Sequence, residues 1–213
     1  LTADIGGTNT RVALFDNEKL LESSCMTYSN NEYDSFETVI ENYFDLVNES
    51  SVKFAGIAAA GPIQEKSAKM TNLSWSLTER SIASITGAEQ VGIINDLQAQ
   101  GYGLTSLDKA DLEPITVGSQ RANSNATKLV CGIGTGFNAA PVFNVGHKIF
   151  VPPSEAGHSQ LSLADKSYQP VFEKIGSVGS FVSVEDILSG RGLENVGRAL
   201  TGNDETAAQI MQK

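Results

Sequence analysis

One device, used twice, constrains the fold of this chain more than any other feature: an apolar strand runs into a glycine-threonine turn and the chain returns as a second strand. Leu1 to Ile5 leads into Gly6-Gly7-Thr8 and returns over Arg11 to Asp16. Leu129 to Ile133 leads into Gly134-Thr135-Gly136 and returns around Ala139 to Asn144. Glycine lets the backbone turn with φ > 0, and such a hairpin offers N–H groups and a threonine hydroxyl to phosphate oxygens. The echo predicts two similarly built domains facing one another across a cleft, with a phosphate turn on each wall. In the first turn Asp4 precedes Gly6, Gly7, Thr8 and Asn9. Asp4 is placed to hold Mg²⁺, directly or through water, because magnesium in phosphate sites keeps several waters and takes one or two carboxylates. The plainer reading is a tight β-turn whose aspartate is satisfied by its own loop.

The rest of the chain fills in an α/β pattern. Strands are predicted at Leu1 to Ile5, Arg11 to Asp16 and Leu20 to Tyr28, then an amphipathic helix with Phe36, Val39, Ile40, Tyr43, Phe44 and Val47 at steps of three and four. A buried strand over Phe54 to Ala60 ends at Gly61-Pro62, a second leads to Met70-Thr71-Asn72, and a short helix from Thr78 precedes the strand Val91 to Ile94. This order implies a mixed sheet with helices on its faces. Ser119 to Asn125 reads as an exposed loop, strands follow up to Lys148 to Val151, and from about Ala164 the chain is mainly helical.

Composition excludes several function classes. A net charge of −10 argues against a nucleic-acid or anionic-membrane binder, whose partners require a basic surface. No run approaches the roughly 18 apolar residues of a membrane span, so no membrane role is expected. Cys25 and Cys131 stand far apart with no C-x-x-C pair, which fits a reduced, cytoplasmic setting and neither a disulfide scaffold nor a zinc site. The sequons at Asn48, Asn72 and Asn125 are then chance matches. The chain starts at Leu1 and stops inside a helical pattern after Asp204, as a sequence trimmed at one or both ends would.

Three further segments carry polar chemistry. Asn95-Asp96 falls at the carboxyl end of a buried strand, where ligands gather in open α/β sheets. There Asp96 is a candidate to accept the proton of an attacking hydroxyl while Asn95 orients the alcohol; the alternative is an N-cap, and both can hold. Glu155 and His158, three apart behind Pro152-Pro153, suit polyol recognition: the carboxylate accepts from hydroxyls, and a neutral imidazole donates one bond and accepts another. The plainer reading of either is a solvated loop residue, and polyol recognition is the better use. Glu185 lies in Ser183-Val184-Glu185-Asp186, a capping-box pattern that reads first as a helix start. P-loop, zincin, G-x-S-x-G and G-x-G-x-x-G motifs are all missing from the sequence.

Taken together and in order, these segments resemble bacterial glucokinases of the actin, sugar kinase and heat-shock chaperone ATPase superfamily. Asp4 to Arg11 is similar to the first phosphate motif, Ala60 to Ile63 with Met70 to Trp75 to the sugar-domain segment, and Ile94-Asn95-Asp96 to the catalytic strand end. Gly132 to Gly136 is similar to the second phosphate motif, Pro153 to His158 to the sugar loop, and Ser183 to Gly190 to a helix carrying the last sugar ligand. The resemblance implies a two-domain actin-like ATPase (ribonuclease H-like) fold, with a small domain over residues 1–105 and the first part of a large one over 106–213. It implies ATP-dependent phosphorylation of the glucose 6-hydroxyl: Asp96 as general base, Asn95, Glu155, His158 and Glu185 on sugar hydroxyls, Asp4 serving Mg²⁺. Gly6, Gly7, Thr8, Asn9, Gly134, Thr135 and Gly136 would hold ATP phosphates. The family's zinc-binding variant does not fit two cysteines. Its adenosine-binding glycine motif and final helix are expected beyond Lys213, and a homodimer is expected from the resemblance alone.

Two readings compete. One is a kinase for another hexose, mannose or an N-acetylhexosamine. The other is a degenerate, non-catalytic sugar binder, motivated by Asn138, which stands where the family commonly has a further glycine after Gly136.

Overall fold

Alternation of exposed and inward residues makes Thr2–Ile5 a strand, β1, with Ala3 and Ile5 turned into the core. In the computed structural model, which describes residues 1–70, 73–116, 126–163, 165–176 and 181–212, the chain divides into two compact units, Leu1–Ala99 and Gln100–Lys213. The predicted Thr71-Asn72 and Ser119–Asn125 segments lie outside the described residues, as does Ala164.

In the first unit β1 pairs antiparallel with β2 (Asn9–Ala13). The predicted strand from Arg11 to Asp16 is split: β2 stops at Ala13, and Phe15–Asp16 (β3) pairs with Lys19–Leu20 (β4) in a separate hairpin. The predicted strand over Leu20 to Tyr28 is likewise interrupted, and only Met26–Ser29 (β5) joins β2. The cause is Ser24, whose hydroxyl accepts the Leu14 N–H at 2.8 Å and donates to the Leu21 carbonyl at 2.5 Å. That bonding closes a 3₁₀ turn over Glu22–Ser24 in place of a ladder.

Helix α1 (Phe36–Val47) follows the predicted spacing. Ser35 caps its start by accepting the Thr38 N–H, and Asn48 ends it in the left-handed region at φ 55°. Its inward stripe Phe36, Val39, Ile40 and Tyr43 has no solvent exposure at all and forms the core with Ile5, Ile57 and Leu77. Burying each such side chain contributes about 1.5–3 kcal/mol, which fixes α1 on the sheet far more firmly than helix propensity does.

Strand β6 (Phe54–Ala59) runs parallel to β1. Short strands β7 (Ile63–Gln64), β8 (Ser67–Lys69) and β9 (Ser76–Thr78) form their own sheet. Helix α2 (Glu79–Thr86) opens on a Thr78/Ser81 capping box and leads to β10 (Gln90–Asn95), parallel to β6. The resulting five-stranded sheet has the order β10-β6-β1-β2-β5. Because β1, β6 and β10 are parallel and in register at Ile5, Ala59 and Asn95, their carboxyl ends share one edge. That edge collects Gly6, Gly61 and Asp96, and α3 (Asp96–Gly103) starts directly from it.

In the second unit β11 (Lys128–Ile133), β12 (Phe137–Val145) and β13 (Lys148–Phe150) form an antiparallel sheet. Val130, Ala140, Val142 and Val151 are buried beneath it. Helices α4 (Gln169–Ile175), α5 (Gly190–Thr201) and α6 (Ala207–Met211) complete the unit. The helix predicted to begin at Ser183 does not begin there. The Ser183/Asp186 box closes a single turn, and α5 starts after a separate cap at Ser189, whose hydroxyl accepts the Gly192 N–H at 2.9 Å. A Cβ on Gly192 would stand 2.6 Å from the Ile187 carbonyl oxygen, so the turn and the helix meet too closely for a side chain.

Candidate functional site

Each unit gathers its polar residues where its chain topology leaves an open edge. In the first unit the Gly6–Asn9 turn is closed by the Gly6 N–H donating to the Asn9 carbonyl at 2.9 Å. Its outer shape is fixed by Asn30, only 2% exposed, which no sequence signal had marked. Asn30 donates through Nδ2 to the Gly6 carbonyl at 2.9 Å and through its backbone N–H to the Thr8 carbonyl at 2.8 Å, and it accepts from the buried Thr10 hydroxyl at 2.7 Å. A buried amide with each of these bonds made holds the turn rigid while leaving Gly7, Thr8 and Asn9 exposed. Only the tertiary contact reveals it, because Ser29-Asn30-Asn31 reads as an ordinary polar loop.

Asp4 and Arg11 are cross-strand partners with an ion pair of 3.7 Å, both more than half exposed, a contact of little energetic weight. Burial is the main influence that raises the Asp96 carboxyl above the ordinary aspartate range, and the nearby Asp4 charge raises it further while the Leu97 N–H works against both. Asn95 Oδ1 and Asp96 Oδ1 both accept the Leu97 N–H, at 3.0 and 2.8 Å, so the capping reading holds. Asn95 Nδ2 reaches across to the Gly61 carbonyl at 3.3 Å, which ties the ends of β10 and β6 together.

Asp4 and Asp96, near the carboxyl ends of β1 and β10, are the carboxylates here that could hold a divalent cation, which uses one or two and completes its shell with water and phosphate. Among the described residues no group of three or more His, Cys, Asp or Glu could hold a metal ion.

The second unit brings Glu155, His158, Glu185 and the Gly134–Gly136 turn into one hydrogen-bonded frame. The Gly134 N–H donates to the Gly136 carbonyl at 2.9 Å, and the Gly190 N–H donates to the Gly134 carbonyl at 2.8 Å, which pins the turn to the start of α5. Glu185 lies over the same turn: its Oε2 accepts the Phe137 N–H at 3.0 Å, and a Cβ on Gly136 would come within 2.6 Å of that oxygen. Its other oxygen pairs with Arg191 at 2.6 Å, a partner the sequence did not single out. The Ala156–His158 stretch is a 3₁₀ turn whose Gly157 carbonyl accepts the Glu185 N–H at 2.9 Å. Glu155 and His158 themselves are exposed.

Asp186 braces the Glu185 turn by accepting from the Ser183 N–H at 2.9 Å and from the Ser183 hydroxyl at 2.7 Å. Burial works to raise its carboxyl, but the two Ser183 bonds, with Arg191 and His158 nearby, hold it below the ordinary value. A group depressed in this way stabilises the fold above its unfolded pKa and ceases to do so as the pH falls through its folded pKa. Asp186→Ala is therefore expected to destabilise the protein by about 0.5–2 kcal/mol near neutral pH, as removal of a cap does. Urea unfolding should show the difference shrinking in acid, and a gap that persists undiminished there contradicts the assignment.

The sequence profile described as glucokinase matches residues 1–213, the whole chain. The chain belongs to the glucokinase family. It is 30% identical over 211 residues to the glucokinase of Psychromonas ingrahamii and 32% identical over 212 residues to that of Tolumonas auensis, covering 99% and 100% of this chain. The chain spans 65% of the length of each of these relatives. Among solved structures, a glucokinase from an Antarctic psychrotroph is similar at a TM-score of 0.82 with 28% identity, over 100% of this chain and 69% of that one. The glucokinase from Balamuthia mandrillaris, solved in complex with glucose, shares the fold at a TM-score of 0.70 and 23% identity, over 99% of this chain and 67% of that one. The mixed α/β architecture is thus the actin-like ATPase fold of glucokinases. Among the described residues no helix is long and apolar enough to cross a membrane.

Proposed function

We propose that the full-length protein is an ATP-dependent glucokinase that phosphorylates the 6-hydroxyl of glucose with Asp96 as the general base. The observation that carries this reading is the placement of Asp96 in a chain of the glucokinase family: a half-buried carboxylate at the carboxyl end of a parallel strand, on the sheet edge that also holds the Gly6–Asn9 turn. Asp96 takes the hydroxyl proton, the freed oxygen lone pair bonds to the γ-phosphorus, and the bond from that phosphorus to the β–γ bridging oxygen breaks, releasing ADP. Asn95 orients the alcohol. Glu155, His158 and Glu185 receive the remaining hydroxyls, and the Gly6–Asn9 and Gly134–Gly136 turns receive phosphate oxygens. Mg²⁺ at Asp4, when bound, neutralises charge on the phosphates. Positioning and electrostatics dominate such a transfer, so a scaffold of fixed turns and oriented acceptors is what the chemistry requires.

The reading extends to a cytoplasmic homodimer that acts on glucose, without nucleic-acid or membrane partners. It is tested by a coupled assay of ADP release with ATP, Mg²⁺ and a panel of glucose, mannose, fructose and N-acetylhexosamines. Turnover with glucose well above the others is expected; preference for another hexose moves the specificity, and sugar binding without turnover returns the non-catalytic reading.

Glu155→Gln is expected to weaken glucose binding by roughly ten-fold, since an ionised acceptor is worth about twice a neutral one. Calorimetry of the variant checks this, and undiminished affinity places the side chain outside the sugar site.

A further inference from the structure

The Asn138 side chain brackets Glu155. Its Nδ2 donates to the Ser154 carbonyl at 2.5 Å, one residue before Glu155, and its Oδ1 accepts the Ala156 N–H at 2.9 Å, one residue after. The same Oδ1 accepts the Ala139 N–H at 2.8 Å, and the Ser154 hydroxyl donates back to the Ala139 carbonyl at 2.5 Å. Asn138 itself sits on β12, paired with Gly132 of β11, directly after the Gly134–Gly136 turn closes. A glycine at this position could make none of the side-chain bonds, and the Ser154–Ala156 backbone would lose an acceptor and a donor at once.

Resting on the glucokinase reading above, we propose that Asn138 is a positioning residue for sugar recognition. It locks the backbone on both sides of Glu155 to the strand that follows the second phosphate turn, so that Glu155 reaches sugar without first ordering its loop. Asn138 is on this view a residue with a task, in place of a lesion in the turn before it. Fixing a carboxylate through its flanking peptides lowers the entropy it loses on binding, which is the general origin of preorganised affinity.

The test uses the full-length protein and three measurements. Asn138→Ala should speed hydrogen exchange of the Ala156 amide by at least ten-fold while the Val130 and Ala140 amides keep their protection. Asn138→Ala should also raise the glucose Kd by about five- to thirty-fold, the range for one to two lost hydrogen bonds. In an Asn138→Ala/Glu155→Gln double variant that increase should largely vanish, because the residue acts through Glu155. Unchanged Ala156 exchange overturns the proposal, as does an effect on Kd that is fully additive with Glu155→Gln, the mark of a role in stability alone. A wild-type protein that binds no hexose defeats the glucokinase reading and with it the sugar role of Asn138, whereas a failure confined to exchange or coupling defeats the positioning role alone.

Discussion

Asp96→Asn in the full-length protein is expected to lower kcat by on the order of 10² or more while leaving glucose affinity within a few-fold, as loss of a general base does. The geometry makes this substitution unusually selective. Asp96 Oδ1 accepts the Leu97 N–H at 2.8 Å, and an asparagine keeps an oxygen in that place, so the start of α3 is retained. The carboxylate is held above its ordinary pKa first by burial and then by Asp4, which means that the charged form is disfavoured where it stands. A neutral amide removes that penalty, so folding stability should not fall. What the variant cannot do is take up a proton. Steady-state kinetics with glucose varied at saturating ATP separates the terms, and turnover equal to wild type removes Asp96 from the role of base.

The features legible in the sequence were those whose cause is local. The stripe Phe36, Val39, Ile40, Tyr43 and Phe44 announces α1 because helical spacing and burial report the same face. The strand ends at Ile5 and Asn95 are marked by glycine or by a capping pair, and the parallel register then brings them to one edge. What escaped the sequence was bonding over distance. Ser24 breaks a strand-like run because its hydroxyl finds Leu14, ten residues back. Asn30 shapes the Gly6–Asn9 turn from more than twenty residues away along the chain, and Arg191 reaches Glu185 only because the Ser183/Asp186 turn ends early and α5 begins anew. The Ser183 box illustrates the general reason: a capping pattern fixes the bonding of one turn, while continuation into a helix depends on what packs next. Here Gly190 is claimed by Gly134.

Gly157→Ala is expected to have the second large effect. Gly157 is buried, and a Cβ there would stand 2.0 Å from the Phe137 carbonyl oxygen and 3.1 Å from its carbon, both backbone atoms that no side-chain rotation can clear. Relief requires the Ala156–His158 turn to lift from β12. That movement also strains the bond from the Glu185 N–H to the Gly157 carbonyl, so Glu155, His158 and Glu185 shift together. Overpacking of this kind costs about 1–3 kcal/mol, which for a protein of this size lowers the Tm by roughly 2–12 °C. On the proposed reading the glucose Kd should rise by about a hundred-fold, because displacement of the turn moves all three residues assigned to sugar hydroxyls at once and leaves polar groups unpaired. Gly103→Ala provides the control for stability: a Cβ at Gly103 meets nothing within 4 Å, and alanine in α3 should be neutral or stabilising by up to about 1 kcal/mol. Thermal unfolding and calorimetry on the pair decide the matter. Glucose affinity retained in Gly157→Ala would mean that the turn relaxes without moving its carboxylate and imidazole, and that these side chains bind sugar from a loop more tolerant than its contacts with Phe137 imply.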